Sequence, residues 1–247
     1  MNYGALATIY DRIMAHVGYH RWLSLIDHVV ATYGTTPHPR ILEIGAGTGV
    51  LGRQCLDAGY SYLGSDKSQS MCRQAVVRNL PVITADAKHL PMKSDVRFDL
   101  VLFLYDGINY LMDEGEFHRA FSEVHAHLKN GGLFLFDITT EFNSKTNFNE
   151  YVDADDLEDA FYFRHSYFDR INGIQHNDFT IFTAAPGQLY EKTVEHHRQR
   201  VYPVGQVLSF VPDSLFEVLG MWDNFSQKKY TARSERVHFL LRKKDSA

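Results

Sequence analysis

Three glycines lie in the loop Gly45–Gly49, directly after a short apolar segment. Glycines after a first strand allow a tight turn and let a ligand approach the backbone. The pyrophosphate pattern G-x-G-x-x-G fails from Gly45, because its last position is Val50. The same pattern read from Gly47 does end in glycine, at Gly52, but Gly47 lies too far after the strand to begin it. Glu43 precedes the loop, where a carboxylate repels pyrophosphate and suits a cationic amino-acid group; a buried, hydrogen-bonded acid is the alternative.

Two further acids follow the next two predicted strands. Asp66 is placed to accept both ribose hydroxyls of an adenosine. A helix N-cap is its alternative, because Ser68 begins a helix pattern. Asp86, next to Ala87, ends the third predicted strand, where it can accept from an adenine amine.

One titratable cluster lies late in the chain, in Glu195–Arg200. Strand alternation puts Glu195 and His197 on one face and Arg200 on the other. His197 is a candidate general base, because its ordinary pKa is near neutrality. A structural cross-strand histidine is the alternative.

Other chemistries lack their motifs. The sequence has no H-E-x-x-H, no C-x-x-C, no G-x-S-x-G and no G-x-x-x-x-G-K-[ST]. The pairs His125/His127 and His196/His197 do not have metal-ligand spacing. We therefore predict no metal site.

The elements that position these residues alternate between strand and helix over 40–138. This alternation predicts right-handed β-α-β units and a parallel sheet. Two amphipathic helix patterns precede it, at 5–17 and 21–33. The predicted strands are 41–44, 61–65, 81–85, 98–104 and 133–138; the helices between them end near Ala58, Arg78 and Leu128.

The pattern changes after residue 140. Segments 160–170, 174–184 and 189–201 are rich in aromatic and β-branched residues and are separated by turn dipeptides, which predicts three antiparallel strands. The acidic stretch Asp153–Asp159 is interpreted as a solvated surface segment. A helix over 205–219 and strands over 220–226 and 235–242 are predicted to close the fold.

Composition limits the function classes. The chain has 247 residues, 45% hydrophobic and 22% charged, with a net charge of −5. This balance indicates a globular protein and argues against nucleic acid as the partner. Two cysteines form no disulfide framework, and no signal peptide or membrane span is apparent. A cytoplasmic location is expected, with a monomer or homodimer as the oligomeric state.

Five segments over 41–138 together resemble the motifs of Rossmann-like, class I S-adenosylmethionine-dependent methyltransferases. Each motif alone is unspecific, but their order and spacing are typical of this family. The segments are Leu42–Gly49, Asp66, Asp86–Ala87, Phe98–Val101 and Leu128–Gly132.

The resemblance implies an α/β fold with a doubly wound seven-stranded sheet whose last strand is antiparallel. It implies the glycine loop beneath the amino-acid part of S-adenosylmethionine, Asp66 on the ribose and Asp86 near the adenine. The cofactor contacts it implies are Tyr3, Tyr10, Trp22, Glu43, Gly45, Ala46, Gly47, Gly49, Asp66, Lys67, Met71, Asp86, Ala87 and Leu104.

Other segments resemble a bacterial small-molecule subgroup of this family, similar to nucleotide-sugar N,N-dimethyltransferases and, more distantly, glycine-type N-methyltransferases. The segment around Tyr10-Asp11 resembles its helical lid, Asp106–Tyr110 its D-[SG]-x-N-Y stretch, and Glu195–Arg200 its E-x-H-x-Q-R stretch. The loop departs from the subgroup, with Glu-Ile-Gly-Ala-Gly in place of Asp-Leu-Ala-Cys-Gly.

We interpret residues 1–247 as one methyltransferase domain. It comprises a helical lid (1–38), a cofactor-binding core (39–140), an antiparallel insert over the carboxyl ends of the strands (141–204) and a closing helix and strands (205–247).

The expected reaction is methyl transfer to N or O of a small molecule, with an amino sugar or small amine favoured. Alignment of the nucleophile is the main task, and an oxygen nucleophile also needs a base, for which His197 is the candidate. Tyr10 on the lid is expected to face the sulfonium, with packing of the lid helix as the alternative. Asp106 is expected to face the substrate, with an N-cap of the following turn as the alternative. Arg236 is expected to pair with a substrate anion, Glu235 or Asp223. Rival functions are methylation of tRNA or protein, an NAD(P)-dependent oxidoreductase and a non-catalytic cofactor sensor.

Overall fold

A computed structural model describes residues 3–187 and 189–245. Met1 and Asn2, on which the leader interpretation partly depends, lie outside the described residues. The helices are α1 Leu6–Ile13, α2 His20–Tyr33, α3 Val50–Asp57, α4 Gln69–Val77, α5 Glu114–His127, α6 Glu141–Asn147 and α7 Val204–Phe210, with a 3-10 turn at Gly107–Tyr110. The strands are β1 Arg40–Ile44, β2 Ser61–Asp66, β3 Val82–Thr84, β4 Phe98–Phe103, β5 Leu128–Thr139, β6 Tyr151–Asp156, β7 Ala160–Asp169, β8 Ile174–Ala185, β9 Leu189–Arg200, β10 Phe216–Asp223 and β11 Arg236–Lys243.

The central sheet has seven strands in the order β10-β11-β5-β4-β1-β2-β3. Strands β1 to β5 pair in parallel, and β11 runs antiparallel to both of its neighbours. Helices α2 and α3 pack on one face, and α5 and α7 on the other, each through its own apolar cluster. Burial of both faces explains why β4 is a continuous apolar run. The predicted doubly wound sheet with an antiparallel last strand is confirmed.

The insert is a four-stranded antiparallel sheet in the order β6-β7-β8-β9. Three of its strands were predicted; β6 was not, because it covers part of the acidic stretch and five of its six residues are exposed. Charged, exposed residues are typical of an edge strand, where they discourage pairing with other chains. The prediction of three strands is therefore wrong, because the insert has a fourth strand, β6, at its edge.

Two boundaries differ from prediction near the sheet edge. The helix predicted over 205–219 is wrong in its second half, because α7 ends at Phe210 and β10 begins at Phe216. Pro212 lies between them and cannot continue a helix hydrogen-bond ladder. Strand β5 begins at Leu128, so the glycines predicted to precede it lie inside it; Gly131, at φ +70°, accompanies a register shift against β4.

Candidate active site

A cavity opens at the carboxyl ends of β1 to β4, which is where open α/β sheets bind ligands. We call it the glycine-loop cavity. Every cofactor contact implied by the resemblance lines it except Gly49. The lid region contributes Tyr3, Tyr10 and Trp22, and the first strand and its loop contribute Glu43, Gly45, Ala46 and Gly47. The other strand ends contribute Asp66, Lys67, Met71, Asp86, Ala87 and Leu104.

Gly49 has a structural role. It is the N-cap of α3 with a φ of +83°, and a Cβ there would lie 2.1 Å from Cδ1 of Leu80. Gly47, at φ +56°, faces the open cavity, because a Cβ there would meet nothing within 4 Å. The loop therefore exposes its backbone at Gly47 and packs tightly at Gly49. Gly49 as a direct contact remains a prediction that the cavity does not support.

Asp66 fixes the loop from the end of β2. Its Oδ2 accepts a hydrogen bond from the Gly47 amide at 2.9 Å, and its Oδ1 accepts one from the Ser68 amide at 2.7 Å. The N-cap of α4 is Ser68, so that alternative for Asp66 is wrong. Burial raises the pKa of Asp66, and the two amides oppose the shift. The carboxylate is thus held in place at the cavity wall.

Glu43 is buried, and its Oε2 accepts a hydrogen bond of 2.5 Å from the Tyr62 hydroxyl. Burial raises the pKa of Glu43 to about 8, against the effect of that hydrogen bond. Gly52 is required beside the same tyrosine, because a Cβ there would lie 2.4 Å from the Tyr62 ring. Gly52, the last glycine of the G-x-G-x-x-G pattern that starts at Gly47, is therefore required for packing of α3 against Tyr62. This packing role weakens the interpretation of the loop as a pyrophosphate site.

We expect Glu43→Gln to stabilise the fold above neutral pH. Because the pKa of Glu43 is higher when folded, its stabilising contribution is complete below about pH 4.5 and is lost as pH rises through about 8. The gain in unfolding free energy of Glu43→Gln should grow between those values by about 5 kcal/mol, at about 1.4 kcal/mol per pKa unit, and then stay constant. Urea unfolding at several pH values measures it, with exposed Glu217→Gln as the control. A gain that is the same at every pH would contradict the raised pKa.

Asp86 forms an ion pair with Lys67 at 2.8 Å and accepts the Lys88 amide at 3.0 Å. Partial burial raises the pKa of Asp86, but these hydrogen bonds outweigh it and lower the pKa overall. The carboxylate therefore stays ionised at the cavity wall.

A second cavity, of about 420 Å³, lies between the strand ends, α1 and the insert sheet; we call it the insert cavity. The candidate catalytic residues His197, Tyr10 and Asp106 all line it. The insert therefore covers the carboxyl ends of the central strands, as predicted.

Four tyrosines line both cavities and form their junction. The hydroxyls of Tyr3 and Tyr110 are 2.5 Å apart, and the ring of Tyr3 packs edge-on against that of Tyr10 at 6.1 Å between centroids. Burial raises the pKa of these phenols, so they act as neutral hydrogen-bonding groups. The junction tyrosines are Tyr3, Tyr10, Tyr105 and Tyr110.

Asp106 follows Tyr105 in the lining of the insert cavity and is part of an ionic network. Arg236 donates to Asp106 at 2.7 Å and to Asp137 at 2.5 Å, and Gln199 donates to Asp106 at 2.5 Å. The sequence expectation that Arg236 pairs with Glu235 or Asp223 is wrong. Asp106 occupies the N-cap position of the 3-10 turn Gly107–Tyr110, as its alternative interpretation proposed, but its side chain forms no capping hydrogen bond.

Asp137 is the buried centre of this network, and sequence reasoning missed it. It accepts the backbone amides of Tyr105 and Asp106 at 3.0 and 2.6 Å. Both residues have positive φ, near +58° and +50°, a strained conformation for side chains other than glycine. Burial raises the pKa of Asp137, but Arg236 and His238 outweigh it and lower the pKa overall. An acid inside the apolar run 133–138 was the available signal.

His197 lies buried on β9, with residues 195, 197 and 199 inward and 196, 198 and 200 exposed. Its Nε2 is 3.3 Å from Oε2 of Glu195, and its ring is 4.4 Å from that of Tyr3. Glu195 does not line either cavity; its Oε1 accepts the Leu6 amide of α1 at 3.0 Å. The predicted shared face of Glu195 and His197 is therefore confirmed, but Glu195 links the insert to α1 and does not face a cavity.

Asp11 ties α1 to the glycine loop. It accepts hydrogen bonds from the Thr48 hydroxyl and from a guanidinium nitrogen of Arg78, each at 2.5 Å.

In residues 3–187 and 189–245 no group of three or more His, Cys, Asp or Glu side chains is arranged to hold a metal ion. Among the helices of the same residues, none is long and apolar enough to cross a membrane.

Comparisons agree with this geometry. Residues 41–132 match the family model described as a methyltransferase domain. A protein of Geobacillus sp. (strain WCH70) classed as a methyltransferase is 27% identical, with 98% of this chain and 100% of that protein covered.

Solved structures extend the likeness over the full fold. An S-adenosylmethionine-dependent methyltransferase from Clostridium acetobutylicum ATCC 824 is 25% identical with a TM-score of 0.79, covering 98% of this chain and 99% of that one. The sugar N-methyltransferase KedS8 from Streptoalloteichus sp ATCC 53650 is 20% identical with a TM-score of 0.75, covering 96% and 93%; it shares the fold. These likenesses confirm the resemblance to the class I, S-adenosylmethionine-dependent methyltransferases.

Proposed function

We propose that the protein methylates a small molecule, with an amine nitrogen favoured as the acceptor and a hydroxyl oxygen as the second possibility. The observation that carries this proposal is the junction of two cavities at the four tyrosines. One cavity holds the residues that suit the cofactor, and the other is enclosed by the insert and has room for a second molecule. The sugar N-methyltransferase with the same fold supports an amine acceptor.

The glycine-loop cavity fits the cofactor chemically. Gly47 leaves open space at the loop, Glu43 offers a carboxyl to a cationic amino group, and the fixed carboxylate of Asp66 suits two ribose hydroxyls. Asp86 is placed for the adenine amine. S-adenosylmethionine supplies an activated methyl group on a sulfonium sulfur.

The chain's own residues orient the acceptor and handle its proton. The ring faces of Tyr3 and Tyr10 stabilise positive charge at the junction. Asp106, held by Arg236 and Gln199, is a fixed acceptor for a substrate N–H or O–H. His197 is proposed to take the proton that the acceptor loses, because it lines the insert cavity and its Nδ1 has no hydrogen-bond partner among the described residues, while its Nε2 lies 3.3 Å from Oε2 of Glu195.

Calorimetry with S-adenosylhomocysteine tests the cofactor assignment. We expect micromolar-range binding, and a methyl-transfer screen with labelled cofactor against amino sugars, small amines, phenols and bulk tRNA then identifies the acceptor class. Binding of NADH without binding of S-adenosylhomocysteine would overturn the proposal, and methylation of bulk tRNA alone would overturn its small-molecule part.

We expect Asp66→Ala to weaken S-adenosylhomocysteine binding by roughly 100-fold, because two hydrogen bonds to a charged acceptor contribute about 3 kcal/mol together. Asp57→Ala, at an exposed position of α3, is the matched control. Calorimetry on folded variants gives both affinities. An unchanged affinity in Asp66→Ala would mean that Asp66 only fixes the loop through the Gly47 and Ser68 amides.

A further inference from the structure

The insert cavity is lined by two guanidinium groups with different surroundings. Arg236 is neutralised by two carboxylates, Asp106 and Asp137. Arg164, on the inner face of β7, forms no ion pair within 4.0 Å with any carboxylate in residues 3–187 and 189–245. A partly enclosed cation without a counter-charge favours an anion beside it.

The nearest acid in the sheet does not fill this role. Asp153 lies directly opposite Arg164 on β6 and lines the same cavity. Its Oδ2 instead accepts the hydroxyl of Tyr162 at 2.7 Å. Arg164 is therefore kept apart from the acid that strand register places opposite it.

Arg164 is fixed in position by neutral groups. Its Nε donates to Ser166 Oγ at 2.9 Å and its Nη2 to Asn177 Oδ1 at 2.6 Å. The guanidinium lies 5.3 Å from the ring centroid of Phe148 and 5.5 Å from that of Phe179. Two of the five N–H donors of an arginine are thus used. The remaining donors are pre-organised in a fork that matches an oxyanion.

Two residues that line the same cavity carry unpartnered polar atoms. Ser144 Oγ and Gln175 Oε1 are buried and have no hydrogen-bond partner in the part of the chain that the structure describes. Their residues are 1% and 3% exposed, and both line the insert cavity. Buried polar groups normally have partners, so these atoms point to a polar ligand.

We infer that the acceptor substrate carries an oxyanion, a carboxylate or a phosphate monoester, which Arg164 binds while Ser144 and Gln175 contact its polar body. This inference rests on the proposed function, because it takes the insert cavity as the acceptor site. Arg164 is then the specificity-determining residue for anionic over neutral acceptors.

The first test uses simple anions on the full chain saturated with S-adenosylhomocysteine. Inorganic phosphate and acetate are titrated separately by intrinsic fluorescence, which distinguishes the two oxyanions. We expect saturable binding of at least one in the wild type and a loss of about 10–100-fold in Arg164→Gln. Arg198→Gln, on the exposed face of the same sheet, should leave binding unchanged. No saturable binding in the wild type, or equal binding in Arg164→Gln, would overturn the inference.

The second test compares matched acceptors: glucosamine, glucosamine 6-phosphate and glucosaminic acid. Binding to the protein saturated with S-adenosylhomocysteine should favour one or both anionic compounds about 10-fold or more, and Arg164→Gln should abolish that preference. Arg164→Gln should bind S-adenosylhomocysteine as the wild type does. Failure of the wild type to bind S-adenosylhomocysteine defeats the proposed function, whereas normal binding without an anion preference defeats only the inference about Arg164.

Discussion

Replacing His197 with alanine should lower methyl-transfer turnover at pH 7 by roughly 10²–10⁴-fold when the acceptor is a hydroxyl, the usual effect of losing a general base. The loss should be smaller for an amine acceptor and should shrink as pH rises, because a larger fraction of the amine is then unprotonated. His197 lines the insert cavity and packs against Tyr3, which lines both cavities. Turnover measured from pH 6 to 10 distinguishes the two acceptor types.

Two controls separate chemistry from packing at this position. His196→Ala changes the neighbouring histidine, whose side chain is 62% exposed and hydrogen-bonds Asp178 on the outer face. His197→Phe keeps a ring against Tyr3 but cannot carry a proton. S-adenosylhomocysteine affinity should be unchanged in both. Full activity of His197→Phe on the true substrate at every pH would show that His197 is structural.

Replacing Arg236 with methionine should destabilise the protein by about 3–5 kcal/mol, the usual cost of removing one partner of a buried ion pair. The change leaves Asp137, which is fully buried, without its main counter-charge. It also loosens the strained Tyr105-Asp106 turn that Asp137 holds through two amides. Urea unfolding measures the free energy.

The acid side of the stability profile gives an independent measurement. The pKa of Asp137 is lowered in the fold, so its contribution is present above the ordinary aspartate pKa near 3.9 and is lost as pH falls below it. Arg236→Met should lose that part of the acid dependence, and adding Asp137→Asn should recover part of the stability. Arg233→Met, exposed in the loop before β11, is the matched control. A loss below 1 kcal/mol in Arg236→Met would contradict the network.

The sheet core was predictable because its signals are local. Strands β1 and β4 and the second half of β5 contain short apolar runs, and the helices α3, α4 and α5 have their own amphipathic periods. The parallel direction of these strands follows from the alternation of strands and helices. The loop Gly45–Gly49 and the acids Asp66 and Asp86 lie at strand ends, so their positions at one sheet edge follow from the fold class alone.

The errors arose where local pattern and tertiary context disagree. Strand β6 is almost entirely exposed, so it lacks the apolar alternation that identifies a strand, and pairing with β7 defines it. In 205–219, apolar residues of α7 and β10 follow one another without a clear change of period, and Pro212 was the available signal.

The sequence by itself determined the fold class, because periodicity is local, and it carried the family resemblance, whose implied cofactor contacts line the glycine-loop cavity with the exception of Gly49. Only the tertiary structure decided the charge pairing of the insert cavity. Arg236 is 130 residues from Asp106 and 99 from Asp137, and Arg164 stands directly opposite an acid with which it forms no ion pair. Charge pairing depends on distances of a few ångströms between side chains that chain order does not bring together, and so it required the packed fold.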